Sequence, residues 1–117
     1  MDPEDHFWEL AEERLLTRVG VTRSTMMGFP CLRLNGDFYA AFDPKDGALI
    51  AKLDEPRVNE LIAAGQGHEF APNGRRFRAW IAIAPQRSRR WAAIVDEAFD
   101  VALRRTPDPG AINRASA

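Results

Sequence analysis

Phe7, Ala11, Leu15 and Val19 recur at helical spacing near the start of the chain, and Trp8 and Leu16 widen the stripe. Asp2 stands where an N-cap would, Pro3 at the first helical position, and Glu4 and Asp5 in the first turn, where carboxylates favour the helix dipole. Gly20 closes the pattern, so the spacing predicts a first helix over residues 3–19. The period then shortens to two. Residues 21–27 have strand character, broken by Gly28-Phe29-Pro30. Residues 31–34 and 37–42 flank Asn35-Gly36, a dipeptide suited to a type I′ hairpin turn because both positions tolerate positive φ. Asp43-Pro44-Lys45-Asp46-Gly47 predicts a second turn, and residues 48–53 the next strand. Asp54-Glu55-Pro56 opens a second helix to residue 64, with Val58, Leu61 and Ile62 as its buried stripe. Residues 66–74 hold Gly, Pro and Asn and read as a loop; residues 76–83 read as a fifth strand, stopped before Pro85. Ser88 is placed to cap a third helix over residues 89–105, whose apolar face is Trp91, Ile94, Val95, Ala98, Val101 and Ala102.

These elements predict an α+β fold: an antiparallel β-sheet of about five strands with three helices packed mainly on one face. A single domain is expected over residues 1–105, followed by a flexible tail over residues 106–117. Alternation assigns the faces. Leu32, Leu34, Phe38, Ala40, Phe42, Leu49, Ala51, Leu53, Phe77, Ala79, Ile81 and Ile83 should face the helices. Cys31, Arg33, Tyr39, Ala41, Ile50, Lys52, Arg76, Arg78 and Trp80 should face away, giving a basic outer face with aromatics that meets water.

Composition narrows the function classes. At 117 residues the chain suits one domain. No apolar run reaches the roughly 20 residues that span a bilayer, and the acidic N-terminus is no signal-peptide n-region. Cys31 is the only cysteine, which excludes an internal disulfide and a cysteine zinc cluster and suits a reducing cytoplasm. The net charge of −1 argues against coating nucleic acid over the whole surface, but the charge is uneven. Residues 2–13 carry six acids and no Lys or Arg, while residues 70–95 carry six Arg and no acid. Arginine outnumbers lysine 14 to 2, a bias that a GC-rich genome also produces.

The candidate nucleic-acid-binding residues are Arg33, Lys52, Arg76, Arg78 and Trp80, since one surface must gather several cations and a flat aromatic can stack a base. The competing reading is a solvated face whose arginines pair with helix acids. Arg87, Arg89 and Arg90 fall at the start of the third helix, where cations oppose the dipole, a mild misfit that either marks a lodged anion or has no meaning. His68 beside Glu69 has no second histidine at ligand spacing, and Cys31 has no histidine partner in view, so neither a metal site nor a catalytic site is expected, and no cofactor. The glycines form neither a P-loop nor a dinucleotide fingerprint. Met26, Met27 and Phe29 fill the core edge or form a self-association patch.

"MMGFPCLRLNGDFYAAFD", then "LIAKLDE", a helix, "FAPNGR" and a strand with a central Trp resemble the TfoX N-terminal domain and the related YjbR (MmcQ-like) group over about residues 5–104. The resemblance implies a compact α/β domain with helices on an antiparallel sheet, no enzymatic activity, and a DNA-binding role of the kind proposed for parts of the family. The expectation is therefore a non-enzymatic cytoplasmic binding protein with DNA as the most concrete partner. The alternative is a protein–protein interaction module or homodimer, and a third reading is a small enzyme or ligand binder with a pocket the sequence does not reveal.

Overall fold

The computed structural model describes residues 2–105; the expected tail, residues 106–117, lies outside them. Three α-helices, α1 (Pro3–Thr17), α2 (Glu55–Ala63) and α3 (Trp91–Arg105), accompany six strands: β1 (Val21–Met26), β2 (Phe29–Leu34), β3 (Asp37–Asp43), β4 (Ala48–Lys52), β5 (His68–Phe70) and β6 (Phe77–Ile83). They form one sheet in the order β1-β2-β3-β4-β6-β5, with every pair antiparallel. The class is α+β as expected, with six strands in place of about five. The extra one, β5, lies in the segment expected as a loop. At three residues it is too short to show alternation, and it is fixed only by its pairing with β6 at the sheet edge.

Local signals set most boundaries. The Asp2 carboxylate accepts from the Glu4 amide at 3.0 Å and caps α1. The helix stops at Thr17, two residues short of the expected end, because Arg18 is already extended (φ −117°, ψ 114°) and Gly20 turns the chain at φ +87°. A Cβ on Gly20 would lie 2.6 Å from Asn35 Oδ1, so the β1 and β2–β3 turns close on each other only through glycine. Val19, expected in the buried stripe, lies beyond the helix end and is 97% exposed, and Leu16, within α1 but off its buried Phe7, Ala11 and Arg14 face, is 87% exposed. Arg14 turns inward instead, and its Nε and Nη2 donate to both Asp96 oxygens on α3 at 3.0 and 3.1 Å. The break expected at Gly28-Phe29-Pro30 is narrower, since Phe29 and Pro30 already belong to β2. Met27 and Gly28, at φ 51° and 82°, make a two-residue turn, and Pro30 sits inside β2 opposite Thr25. Asn35 and Gly36 repeat that geometry, as their sequence expects. Ser88 caps nothing. It lies in a 3₁₀ segment, Pro85–Arg90, that leads into α3, with its carbonyl 3.2 Å from His6 Nε2.

All three helices lie on one side of the sheet, over a core of Leu32, Leu49, Leu53, Ile81 and Ile83 against Phe7, Val58, Leu61, Ile94 and Ala98. Trp91 is wholly buried there and donates its indole N–H to the Ile83 carbonyl at 3.2 Å. The other face corrects the expectation of a wet platform. Cys31, Ala41, Ala48, Ile50, Phe70 and Trp80 are buried on it, with Met26, Phe29, Phe38, Phe77 and Ala82 packed around them. Curvature makes this possible. Phe29 of β2 and Phe70 of β5 are four strand steps apart, about 19 Å in a flat sheet at ~4.8 Å per step. Their ring centroids are 6.2 Å apart, so the sheet curls and closes its outer face over a second, aromatic core.

A β-bulge explains which side chains changed sides. Leu32 opposes Ala40 but Arg33 opposes Phe38, so Tyr39 is an extra residue in β3. Tyr39 therefore points into the helix-side core, edge-on to Phe99 at 5.9 Å, while Phe38 points outward. Phe77, expected against the helices, joins the outer cluster 5.8 Å from Phe70, beside a second register shift at Glu69/Phe70.

Candidate functional site

The five sequence candidates do not form one open surface. Trp80 is 9% exposed, packed against Phe70 at 6.3 Å, and leaves no open ring face for a base. Lys52 lies beside it, 5.8 Å from the ring, and its Nζ is 3.4 Å from Asp37 Oδ1. Arg33 is half-buried with its guanidinium carbon 4.1 Å from the Phe38 centroid, and its Nε is buried without a hydrogen-bond partner. Arg76 reaches Glu69 at 3.4 Å and donates to Asn59 of α2 at 3.1 Å. Arg78 lies 3.6 Å from Glu55 at the start of α2. All four cations thus sit in ion pairs or against aromatic rings, but only Arg78 meets a helix acid, Glu55, as the competing sequence reading expects; Lys52 and Arg76 pair with strand acids.

The same accounting along the chain isolates a different group. Arg14 and Arg18 hold Asp96, Arg57 holds Glu97, Arg104 holds Asp54 and Arg105 holds Asp37. Arg23 lies over Trp8 and Arg75 over Phe77. Among the described residues, Arg87, Arg89 and Arg90 have neither an ion pair nor an aromatic ring beneath them, and all three are exposed. In sequence they read as less helpful than the strand cations because they stand at a helix start, with a lodged anion as one explanation of the misfit. The 3₁₀ segment removes that objection in part, since it sets Arg87 and Arg89 ahead of the first turn of α3. The signal that points to them is the absence of any acid within residues 70–95.

Cys31 is completely buried, and burial pushes its thiol up while Arg33 and Ser24 pull it down. A protonated, enclosed thiol is a poor nucleophile. His68 is exposed on β5, and among the described residues no group of three or more His, Cys, Asp or Glu could hold a metal ion. No helix among them is long and apolar enough to cross a membrane.

The curl leaves a cleft at one end of the outer face, about 550 Å³ in volume. The β1–β2 turn, the β3–β4 turn and the chain from β5 to the Pro72–Gly74 turn wall it, with Phe29, Phe70 and Ala82 as apolar surface and Asp43, Lys45, Asp46 and Glu69 as polar groups. The sequence shows these charges only as turn residues, because the cleft joins segments 40 positions apart.

No known family model, curated protein or solved structure matches this chain.

Proposed function

We propose that this chain is a non-enzymatic cytoplasmic binding protein of the TfoX N-terminal/YjbR type that engages a polyanion, nucleic acid being the most concrete. The observation that carries the reading is the group of unpaired arginines, Arg87, Arg89 and Arg90, at the entrance to α3. A phosphate can take each guanidinium without first breaking an ion pair, and the planar fork suits two phosphate oxygens. The N-terminal end of α3 adds positive potential of its own. The five earlier candidates stand apart from this group: Arg76 and Arg78 lie at the start of β6, with Lys52 opposite Trp80, whereas Arg87, Arg89 and Arg90 follow the other end of that strand.

Fluorescence anisotropy with mixed-sequence single- and double-stranded DNA tests this. Three phosphate contacts give a slope of log K against log salt of roughly −2.7 for duplex and roughly −2.1 for single strands. The Arg87→Ala/Arg89→Ala/Arg90→Ala variant is expected to lose the binding and its salt dependence. The Arg76→Ala/Arg78→Ala variant is expected to lose little. Parent-like binding by the triple variant defeats the assignment. A homodimer or protein-interaction module is the second reading, supported by Met27, 54% exposed at the tip of the edge hairpin, and by Leu16 and Val19.

A further inference from the structure

The cleft and the arginine segment have opposite chemistry, and the polyanion reading leaves the cleft unused. Its size falls within the range of small-molecule sites, roughly 300–1,000 Å³. Its apolar surface is built by rings from two different strands, Phe29 and Phe70, which meet edge-on. Its most enclosed polar group is Asp43, 8% exposed at the end of β3. Asp43 Oδ1 accepts from the Lys45 amide at 2.9 Å, while Oδ2 has no hydrogen-bond partner among the described residues. That oxygen is not sealed from solvent, so it stands open to a donor in the cleft. Asp46 and Glu69 add negative charge at the mouth, the latter shared with Arg76, and Lys45 is the one cation in the lining.

We propose that this cleft binds a small organic cation with a flat apolar body, an aromatic amine being the simplest case. The ammonium donates to Asp43 Oδ2, with Asp46 beside it. The ring lies against Phe29, Phe70 and Ala82, where aromatic faces also attract a cation. An anion of the same shape meets carboxylates at the mouth and has only Lys45 to offset them.

Three probes with one ring system and different charges test this: tryptamine, neutral indole and indole-3-acetate, each titrated into the whole chain by amide NMR and calorimetry. Tryptamine is expected to move the amides of residues 27–29, 43–47 and 69–73 and to bind at least tenfold tighter than indole-3-acetate, equal to about 1.4 kcal/mol. Asp43→Asn keeps an oxygen to accept from the Lys45 amide, so the fold should stand while tryptamine falls to the level of indole. Ala82→Leu, which fills the cleft without touching a charge, should weaken tryptamine and indole alike. Equal affinity for tryptamine and indole-3-acetate, shifts outside these segments, or no shift at millimolar tryptamine overturns the proposal. The DNA titration is unaffected by any of these results, and Asp43→Asn should bind DNA as the parent does.

Discussion

Tyr39 is the only tyrosine in the chain, so its ionisation can be read without overlap from another phenol. The β3 bulge drives it into the helix-side core, where it is 0% exposed and its hydroxyl has no hydrogen-bond partner. Burial pushes the phenol from 10.0 up to about 12; nearby Arg14 and Arg18 pull it down against this, and Asp96 adds to the rise. A raised folded-state pKa means that the fold prefers the protonated phenol. The associated stability is fully present below pH 10, the value for the unfolded chain, and drains away as pH rises through about 12. Two units correspond to a loss on the order of 3 kcal/mol across that window.

The assay is ultraviolet difference spectroscopy of the phenolate band, run beside far-ultraviolet circular dichroism and urea unfolding at each pH. Phenolate is expected to appear only near pH 12, or together with loss of the helical signal if the domain unfolds first. Urea midpoints should fall steadily above pH 10. Tyr39→Phe should remove this part of the slope, and at neutral pH it should be as stable as the parent or up to ~1 kcal/mol more so, because the lost hydroxyl leaves no partner behind. Phenolate that forms near pH 10 with the circular dichroism unchanged would refute both the burial of Tyr39 and the bulge that causes it.

Two further substitutions probe the joints of the fold. Asp96→Ala leaves the 7% exposed Arg14 with only Glu13 at 3.5 Å and the Leu10 carbonyl, and is expected to cost about 2 kcal/mol in urea unfolding, less than the ~3–5 of a fully buried pair because those partners remain and the Asp96 side chain is itself 40% exposed; an unchanged midpoint would contradict it. Gly20→Ala should cost about 2–3 kcal/mol, since it adds a clash with Asn35 to the positive φ, whereas Gly28→Ala, also at positive φ but in open space, should cost about 1; equal thermal shifts for the two would show that the Gly20 contact does not matter.

Much of the fold is local and therefore legible. Asp2-Pro3 starts a helix because a carboxylate can satisfy an orphan amide, and Asn35-Gly36 turns a hairpin because both residues accept positive φ. What the alternation misses is set by partners far along the chain. The bulge at Tyr39 depends on how β3 meets β2, and nothing in Asp37–Asp43 alone announces it. Arg78 meets Glu55 and Arg76 meets Glu69 only once β6 lies beside α2 and β5. A charge that looks free in sequence is free only if no distant acid reaches it: Arg76 and Arg78 are reached, and Arg87, Arg89 and Arg90 are not.

The outer face did carry a warning. Cys31, Ala41, Ala48, Ile50 and Ala82 are small or apolar residues at positions that a solvated face would fill with polar ones. Small or aliphatic side chains (Ala41, Ala48 and Ile50) on β3 and β4 leave room for a twisted sheet to bend inward, and most of the large rings, Phe29, Phe70, Phe77 and Trp80, lie on β2, β5 and β6, with Phe38 the exception on β3. Rings drawn mainly from the outer strands over a centre of smaller side chains are what a sheet closing on itself needs. Where the closure is incomplete, at the Met27 and Asp43–Gly47 turns, polar turn residues come to line an aromatic cleft. The curl that removes Trp80 from solvent is therefore the same feature that creates the cleft. A variant that flattens the sheet, such as Ala41→Phe at the fully buried centre of the outer face, is expected to expose Trp80 to quenchers and to abolish binding in the cleft together.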